Sequence, residues 1–225
     1  MSVNTTASAS ANGFAFERRI GYILNEFKDA LSGQSHTDEW VIVIHDEQEI
    51  RDFFKEQSLN GVDHMVQIQD PAGQQHLFLL QEKWKLMTNQ REVSQFLDCC
   101  ARIAARMPDY KGLTHKMWVS RTVPSLNGEK SLQEGQCIVV QTCTSQTLLA
   151  VNTLFMICEI LGCRDIALSV IGKLGSLLPS AEEAIADPKV TEETPQTTFE
   201  PVSNFGEKRV LPITKQTVVM VKKVD

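Results

Sequence analysis

The chain lacks the sequence patterns of several common functional sites. Its 225 residues include six cysteines, but no CxxC pair and no Cys/His spacing typical of a zinc site. A Walker loop, a dinucleotide-binding glycine pattern and a Ser-His-Asp grouping are also missing. No apolar run reaches about 18 residues, the length that a membrane-spanning helix needs. The sequence therefore argues against P-loop and dinucleotide-binding enzymes, serine hydrolases, zinc proteins and proteins embedded in a membrane.

The chain also lacks net basic charge. Its formal net charge is -6 at pH 7, so general attraction to nucleic acid is not expected, and a nucleic-acid-binding protein would need a local basic stripe. The cysteines lie within apolar periodic segments, where free cysteine behaves as a small hydrophobic residue. The first residues carry no charged-then-apolar signal pattern. We therefore expect reduced cysteines and an intracellular protein, cytoplasmic or nuclear, that is not secreted.

What the chain does contain is an alternation of helical and strand patterns. In order, it predicts a helix ending near Ser32-Gly33, a strand over residues 40–44, a short helix capped by Asp46, and a hairpin of strands over 62–69 and 75–85. Further on, it predicts a helix over 90–107, a strand over 114–121, a loop over 124–128, a strand over 136–142 and a helix over 147–161. This order predicts an α/β fold with a mixed central sheet flanked by helices.

Composition divides the chain into four parts. Residues 1–13 are rich in Ser, Thr, Ala and Asn and are expected to form a flexible arm, followed by a folded domain over residues 14–178. Residues 179–209 are rich in Pro, Thr and Glu and are expected to form an acidic flexible linker. Residues 210–225 regain β-branched residues, and either add a strand or form a tail that docks on a protein partner.

Two short strings carry most of the recognisable chemistry. The first is Gly61-Val62-Asp63-His64-Met65, at the start of the predicted hairpin. The second, Gln81-Glu82-Lys83, follows an apolar run, so it lies where a buried strand becomes polar. Because side chains alternate along a strand, Gln81 and Lys83 share one face and Glu82 has the other.

These strings resemble the motif of the PD-(D/E)xK, or restriction-endonuclease-like, nucleases. The resemblance comprises a glutamate after an aromatic residue on the first helix (Glu17), the acid on a hairpin strand (Asp63), a Gln-x-Lys variant of the (D/E)xK element (Gln81 and Lys83), and the long helix that follows. It implies a restriction-endonuclease-like fold and hydrolysis of DNA phosphodiester bonds with Mg²⁺ or Mn²⁺. It departs from the family pattern at Gln81, where a carboxylate is usual.

The resemblance also implies a role for each residue. Asp63 would be the central metal ligand, with the side-chain amide oxygen of Gln81 and the backbone carbonyl of Glu82 completing the protein's ligands. Glu17 would be a ligand of a second metal or an outer carboxylate. Lys83 would orient the attacking water or stabilise charge on the phosphate.

A plainer interpretation stays open for each of these residues. Asp63 is also explained as a turn acid after Asn60-Gly61, and Gln81 to Lys83 as a strand leaving the core. Glu17 is also explained as part of a solvated charged face, and His64 as a structural residue on the opposite strand face. An alternative function is therefore a catalytically silent protein of the same fold that serves in an assembly or as a nucleic-acid-associated interaction module.

The expected partners follow from charge and apolarity. A basic rim for DNA phosphates is expected from Arg18, Arg19, Lys85, Lys116 and Arg121, with scattered surface charge as the alternative. The predicted helix over residues 147–161 is apolar nearly all round, so it is buried either in the core or at an interface of a homo-oligomer. No membrane partner is expected.

Overall fold

The computed structural model describes residues 5–33, 40–122, 124–142, 145–174 and 217–219, and only the backbone of residues 5–11 and 217–219. Within these ranges the chain forms one mixed sheet with helices on both faces, as the sequence predicts at this level. The predicted linker over residues 179–209 and Cys143 lie outside the described residues.

Among the described residues, the sheet has six strands that follow one another in chain order. They are β1 (Val41–Asp46), β2 (His64–Gln69), β3 (Gln75–Lys83), β4 (Leu113–Ser120), β5 (Ile138–Gln141) and the short β6 (Thr217–Val219). The first three strands form an antiparallel meander, whereas β4 runs parallel to β3 and β5 runs parallel to β4. β6 pairs antiparallel with β5, which agrees with the strand alternative for the end of the chain.

In the part of the chain that the structure describes, six helices cover the two faces of the sheet. They are α1 (Thr5–Ser32), α2 (Glu47–Phe54), α3 (Gln90–Ala105), α4 (Leu126–Glu134), α5 (Gln146–Leu161) and α6 (Arg164–Leu174). Helices α1, α5 and α6 pack on one face, with core residues such as Phe16, Phe27 and Leu154. Helices α2, α3 and α4 pack on the other face, around Phe96 and Trp118. We call these the α1 face and the α3 face.

Two helices begin where capping residues predict. Asp46 accepts a hydrogen bond from the backbone of Glu49 at 2.8 Å, and the Glu49 side chain accepts one from Asp46 in return. Asn89 and Glu92 form the same reciprocal pair at the start of α3. Such capping boxes satisfy backbone N–H groups that have no partner inside the helix, so both helix starts are fixed by local sequence.

Three elements differ from the sequence-based expectation. Helix α1 begins at Thr5, within the segment expected to be a flexible arm, because alanine-rich sequence extends a helix that is already formed. Helix α4 begins at Leu126, within the predicted loop, because Ser125 caps it. Helix α6 was not predicted, although Ile166, Val170 and Leu174 have helical spacing and are buried.

The apolar helix α5 is largely part of the core. It contacts α1, β5 and α6, and it buries Leu149, Leu154, Ile157 and Cys158. This agrees with the core alternative for residues 147–161, while association of chains through the same helix stays a prediction. No helix in the described ranges is both long and apolar enough to cross a membrane. The five cysteines described are free.

Candidate active site

Asp63 lies just before β2, where a tight turn places it beside the end of β3. Its backbone N–H donates to the carbonyl of Leu80 at 2.8 Å, which holds Asp63 against β3 just before the regular pairing begins at His64. Two residues earlier, Gly61 has φ +123°, a conformation that residues with a Cβ rarely adopt. A Cβ there would also lie 3.0 Å from the carbonyl oxygen of Gln95 on α3. Glycine is therefore required for this approach.

Three polar groups at the end of β3 lie around one oxygen atom of the Asp63 carboxylate. Oδ2 accepts a hydrogen bond from the side-chain amide of Gln81 and another from the backbone N–H of Glu82, at 2.6 Å. The ammonium group of Lys83 lies 3.6 Å from the same oxygen. The structure thus brings together the three residues on which the sequence-based site depends. None of the described hydrogen bonds goes to the other oxygen, Oδ1.

The orientation of Gln81 differs from the expected one. The amide nitrogen, and not the oxygen, faces Asp63, because a carboxylate accepts hydrogen bonds and does not donate them. Rotation about the last side-chain bond would exchange the two amide atoms and present the oxygen. For Glu82, the backbone N–H points to Asp63. Its carbonyl points to the same edge, because the N–H and C=O of one strand residue face the same neighbour.

His64 and Glu82 form a buried pair on the α1 face of the sheet. His64 Nδ1 lies 2.8 Å from Glu82 Oε1, and both side chains are almost fully buried. Helix α1 passes directly over this pair, since a Cβ on Gly21 would lie 3.0 Å from His64 Nε2. The other carboxylate oxygen, Glu82 Oε2, is buried and has no hydrogen-bond partner among the described residues.

Sequence reasoning missed this pair and treated His64 as a structural residue alone. The alternation of side chains was the available signal, because it places both His64 and Glu82 on the face opposite to Asp63 and Gln81. His64 pairs with Leu80, and Glu82 lies two residues further along β3 on the same face, so the two side chains meet diagonally.

Burial and the attraction between the two side chains together shift the pKa values of His64 and Glu82. Burial alone lowers the pKa of His64, but the carboxylates of Glu82 and Asp63 outweigh it and raise that pKa to about 9. Burial raises the pKa of Glu82 to about 7, a larger effect than the opposing attraction of His64. The two groups are coupled, so the charge of each favours the charged form of the other.

Glu17 on α1 faces the same group of charges. Burial, and then the negative charges of Asp63 and Glu82, raise its pKa to about 7, although Lys83 lowers it. Glu17 also lines two clefts, one of about 210 Å³ shared with Lys83 and one of about 840 Å³ shared with Asp63. The structure thus places Glu17 beside the site, and not on a fully solvated face.

Negative charge exceeds positive charge around Glu17. Its pKa is raised by three carboxylates, of Asp63, Glu82 and Glu47, and lowered by one ammonium group, of Lys83. Burial also raises the pKa of Glu47, a residue that the sequence did not single out. Within the described ranges, no three His, Cys, Asp or Glu side chains come together closely enough to hold a metal ion.

The residues present fit a hard cation that keeps part of its water shell. Asp63 Oδ1 receives no hydrogen bond from the described residues, so it is available as a ligand for a cation. Mg²⁺ is usually held by one or two carboxylates together with several waters, so it does not need three acidic ligands.

Only part of the expected basic rim borders this site. Arg121 does, because its backbone N–H donates to the carbonyl of Lys83 at 3.0 Å. Lys85 follows the site on the chain and pairs with Glu92, and Arg18 lines the larger cleft.

Two of the expected rim residues lie elsewhere. Arg19 donates a hydrogen bond to the Thr147 hydroxyl and so joins α1 to α5. Lys116 lies in register with Leu79, four residues before the level of Lys83, or about 13 Å along the strand. Neither residue therefore borders Asp63, and a contact of either with DNA stays a prediction. Both are charged residues within amphipathic elements, and the sequence does not reveal which end of the sheet such a residue occupies.

Comparisons with known proteins identify no relative. No protein-family model, curated protein or solved structure matches this chain. The site is therefore interpreted from its own contacts, of which the convergence on Asp63 is the most informative.

Proposed function

We propose that this chain is a divalent-metal-dependent nuclease that hydrolyses DNA phosphodiester bonds on a restriction-endonuclease-like domain. The observation that carries the proposal is the convergence of the Gln81 amide, the Glu82 backbone and the Lys83 ammonium group on the Asp63 carboxylate. Carboxylate, amide and ammonium groups at one sheet edge are suited to holding a cation and a phosphate side by side.

The arrangement of elements supports this fold. Helix α1 carries Glu17, the hairpin of β2 and β3 carries the Asp63 and Gln81-x-Lys83 strings, and α3 follows and packs on the sheet. This is the order of the four features on which the resemblance to the restriction-endonuclease-like nucleases depends. The order matters because it brings residues that are 18 positions apart into contact.

The chemistry assigns a task to each residue. A bound Mg²⁺ or Mn²⁺ would neutralise charge on the phosphate and lower the pKa of an attacking water. Asp63, the carbonyl of Glu82 and the rotated amide of Gln81 would hold the cation, with Glu17 as a further carboxylate. Lys83, whose side chain is 23% exposed, is accessible enough to contact a phosphate oxygen and orient the water. The buried His64–Glu82 pair would fix the strand ends that carry these groups.

Metal-dependent cleavage tests the proposal. Purified protein is incubated with labelled DNA, single-stranded and duplex, in Mg²⁺ or Mn²⁺ and in EDTA. Cleavage is expected only with the metal, and Asp63→Ala is expected to reduce it by about a hundredfold or more. Asp70→Ala, which removes an acid at the other end of the hairpin, is the matched control and should cleave normally. Equal cleavage by Asp63→Ala and the wild type would contradict the proposal.

A second function is favoured by a specific observation at the same site. Asp63 Oδ2 already receives the Gln81 amide, the Glu82 N–H and the Lys83 charge, so these groups satisfy one another without any ligand. This favours a catalytically silent protein of the same fold that acts in an assembly. Under that alternative, no DNA is cleaved in either metal. Mg²⁺ and Mn²⁺ would also leave the melting temperature unchanged, because a ligand that does not bind cannot stabilise the native state.

A further inference from the structure

Exposed apolar side chains border the candidate active site. Phe14 is 62% exposed, Leu86 70%, Met87 83% and Leu126 85%. We call these four residues the apolar rim. Single exposed hydrophobic residues need no explanation, but a group of them beside one cleft indicates an interaction surface.

Chain position and local contacts place the rim residues near the end of β3, where the smaller cleft opens. Phe14 lines the smaller cleft together with Glu17 and Lys83. Leu86 and Met87 follow Lys85 in the loop that leaves β3. That loop is joined to the start of α4, because the backbone N–H of Ser125 donates to the carbonyl of Thr88 at 3.3 Å. Leu126, the next residue after Ser125, therefore lies beside the same loop.

Cationic groups lie between the rim and the site. The guanidinium of Arg121 lies 5.1 Å from the centre of the Trp84 ring, and the ring of Phe16 packs against Trp84 with centroids 5.6 Å apart. The side chain of Arg121 therefore lies over Trp84, while its backbone N–H donates to the carbonyl of Lys83. The surface combines these cations and the accessible apolar groups with the carboxylates of Glu17 and Glu92, which line the same cleft.

We propose that this surface binds single-stranded DNA, with Phe14 and the Leu86-Met87 loop contacting unpaired bases while Lys83 and Arg121 contact the backbone. The inference depends on the proposed nuclease function and specifies its substrate class. Bases stack on exposed aromatic side chains, and apolar side chains separate neighbouring bases, whatever the sequence of the strand.

The charges favour an unpaired strand over a duplex. Duplex DNA hides its base faces by stacking, so the apolar rim would remain in water against a largely anionic partner. Duplex binding depends mainly on several phosphate contacts. The net charge of -6 and the few cations at this edge provide little for such contacts. A single strand offers its base faces to the rim and its phosphates to Lys83 and Arg121.

Direct binding measurements test the inference separately from cleavage. Fluorescence anisotropy is measured with a labelled oligothymidylate of about 12 nucleotides, the same strand in a duplex, and an abasic strand of equal length, in Ca²⁺ without Mg²⁺. We expect the oligothymidylate to bind about tenfold or more tightly than the duplex and the abasic strand. Phe14→Ala and the double variant Leu86→Ser/Met87→Ser should each weaken binding about fivefold or more.

Matched controls come from exposed residues away from the cleft. Phe53→Ala on α2 and Leu113→Ser at the start of β4 remove similar side chains that are also about half exposed. Both are expected to bind the oligothymidylate as the wild type does. Thermal unfolding of every variant establishes that its fold is retained.

Each outcome decides the inference. Equal binding of duplex and oligothymidylate, equal binding of the abasic strand, or Phe14→Ala behaving like Phe53→Ala would overturn it, as would absence of binding. Failure of the proposed function gives a different result: the base-dependent binding persists, but no DNA is cleaved in Mg²⁺ or Mn²⁺. Cleavage of duplex and single strands at equal rates, with no effect of Phe14→Ala, would retain the nuclease and reject the single-strand preference.

Discussion

At the scale of single residues, the site depends on a pair of buried ionisable side chains, each of which compensates the charge of the other. His64 and Glu82 are both removed from water, and the cost of doing so is offset by their contact of 2.8 Å. The contact links the first residue of β2 to the end of β3, beside the residues that meet at Asp63. The pair is therefore expected to stabilise the site as well as the fold.

Removing one member of this pair should cost more than removing both. His64→Leu leaves the Glu82 carboxylate buried and unpaired, and we expect it to lower the free energy of unfolding by about 3 kcal/mol at neutral pH. The double variant His64→Leu/Glu82→Leu should recover much of that loss, because no unpaired charge remains. Urea unfolding of the two single variants and the double variant measures the coupling. Additive effects of the two substitutions would contradict the pairing.

Glu17 should make stability depend on pH. Its pKa is raised from the ordinary 4.5 to about 7 in the folded chain, so the folded state favours the protonated form. The associated stability is fully present below about pH 4.5 and is lost as the pH rises to about 7.

Glu17→Gln should remove that loss. We expect it to raise the free energy of unfolding at about pH 8 by roughly 1 kcal/mol, a value reduced by solvent screening, and to have little effect near pH 4.5. Urea unfolding at the two pH values measures this, with Glu159→Gln on the exposed side of α5 as the baseline. A Glu17→Gln variant with the same pH profile as the wild type would exclude a raised pKa at Glu17.

At the scale of elements, the turn before β2 sets the position of Asp63. Gly61 combines a φ of +123° with a close approach to α3. A side chain there would both strain the backbone and move β2 relative to α3. The position of Asp63 beside β3 depends on this turn as well as on the strand pairing.

Gly61→Ala is therefore expected to be destabilising. We expect a loss of at least about 1 kcal/mol in the free energy of unfolding, since alanine adopts this conformation only with strain. Gly172→Ala is the matched control, because Gly172 lies inside α6 with open space around it. That substitution should stabilise the chain by up to about 1 kcal/mol, since alanine favours helices. The two effects have opposite signs, and thermal unfolding distinguishes them.

At the scale of elements, part of the fold and of the candidate site could be predicted from local sequence signals. The hairpin, the α2 and α3 caps and the meeting of Asp63 with Gln81 and Lys83 follow from local signals, namely alternation, turn residues and reciprocal capping pairs. Helix α4 was not predicted because Asn127 and Gly128 are residue types that usually indicate a turn. In the fold, Gly128 is used for close packing, since a Cβ there would lie 3.3 Å from Val93. Such tertiary requirements have no local signature.

The orientation of side chains was less predictable than their identity. The pattern places Gln81 beside Asp63, but only the three-dimensional contacts determine that its amide nitrogen faces the carboxylate. Likewise, Arg19 and Arg121 are equivalent as cations in the sequence, yet one joins α1 to α5 and the other lies over Trp84. Long side chains choose their partners from several elements, so their roles follow from packing.

At the scale of the whole molecule, the distribution of charge is uneven. The chain is acidic overall, with a net charge of -6, whereas Lys83 and Arg121 are held at the edge of the sheet where Asp63 lies. An acidic protein repels DNA except where local cations and apolar groups attract it. Recognition would therefore be confined to this edge of the sheet.

The central claim is that Lys83 acts on a phosphate at this edge. The most direct measurement is the single-turnover rate of cleavage of a labelled single strand at saturating Mg²⁺, compared between the wild type, Lys83→Ala and Lys116→Ala. Lys116 lies on the neighbouring strand at a different level of the sheet, so it controls for loss of one positive charge. We predict that Lys83→Ala lowers the rate about a hundredfold or more while Lys116→Ala leaves it unchanged. Equal rates for the two variants, or a wild type that does not cleave DNA, would contradict the account.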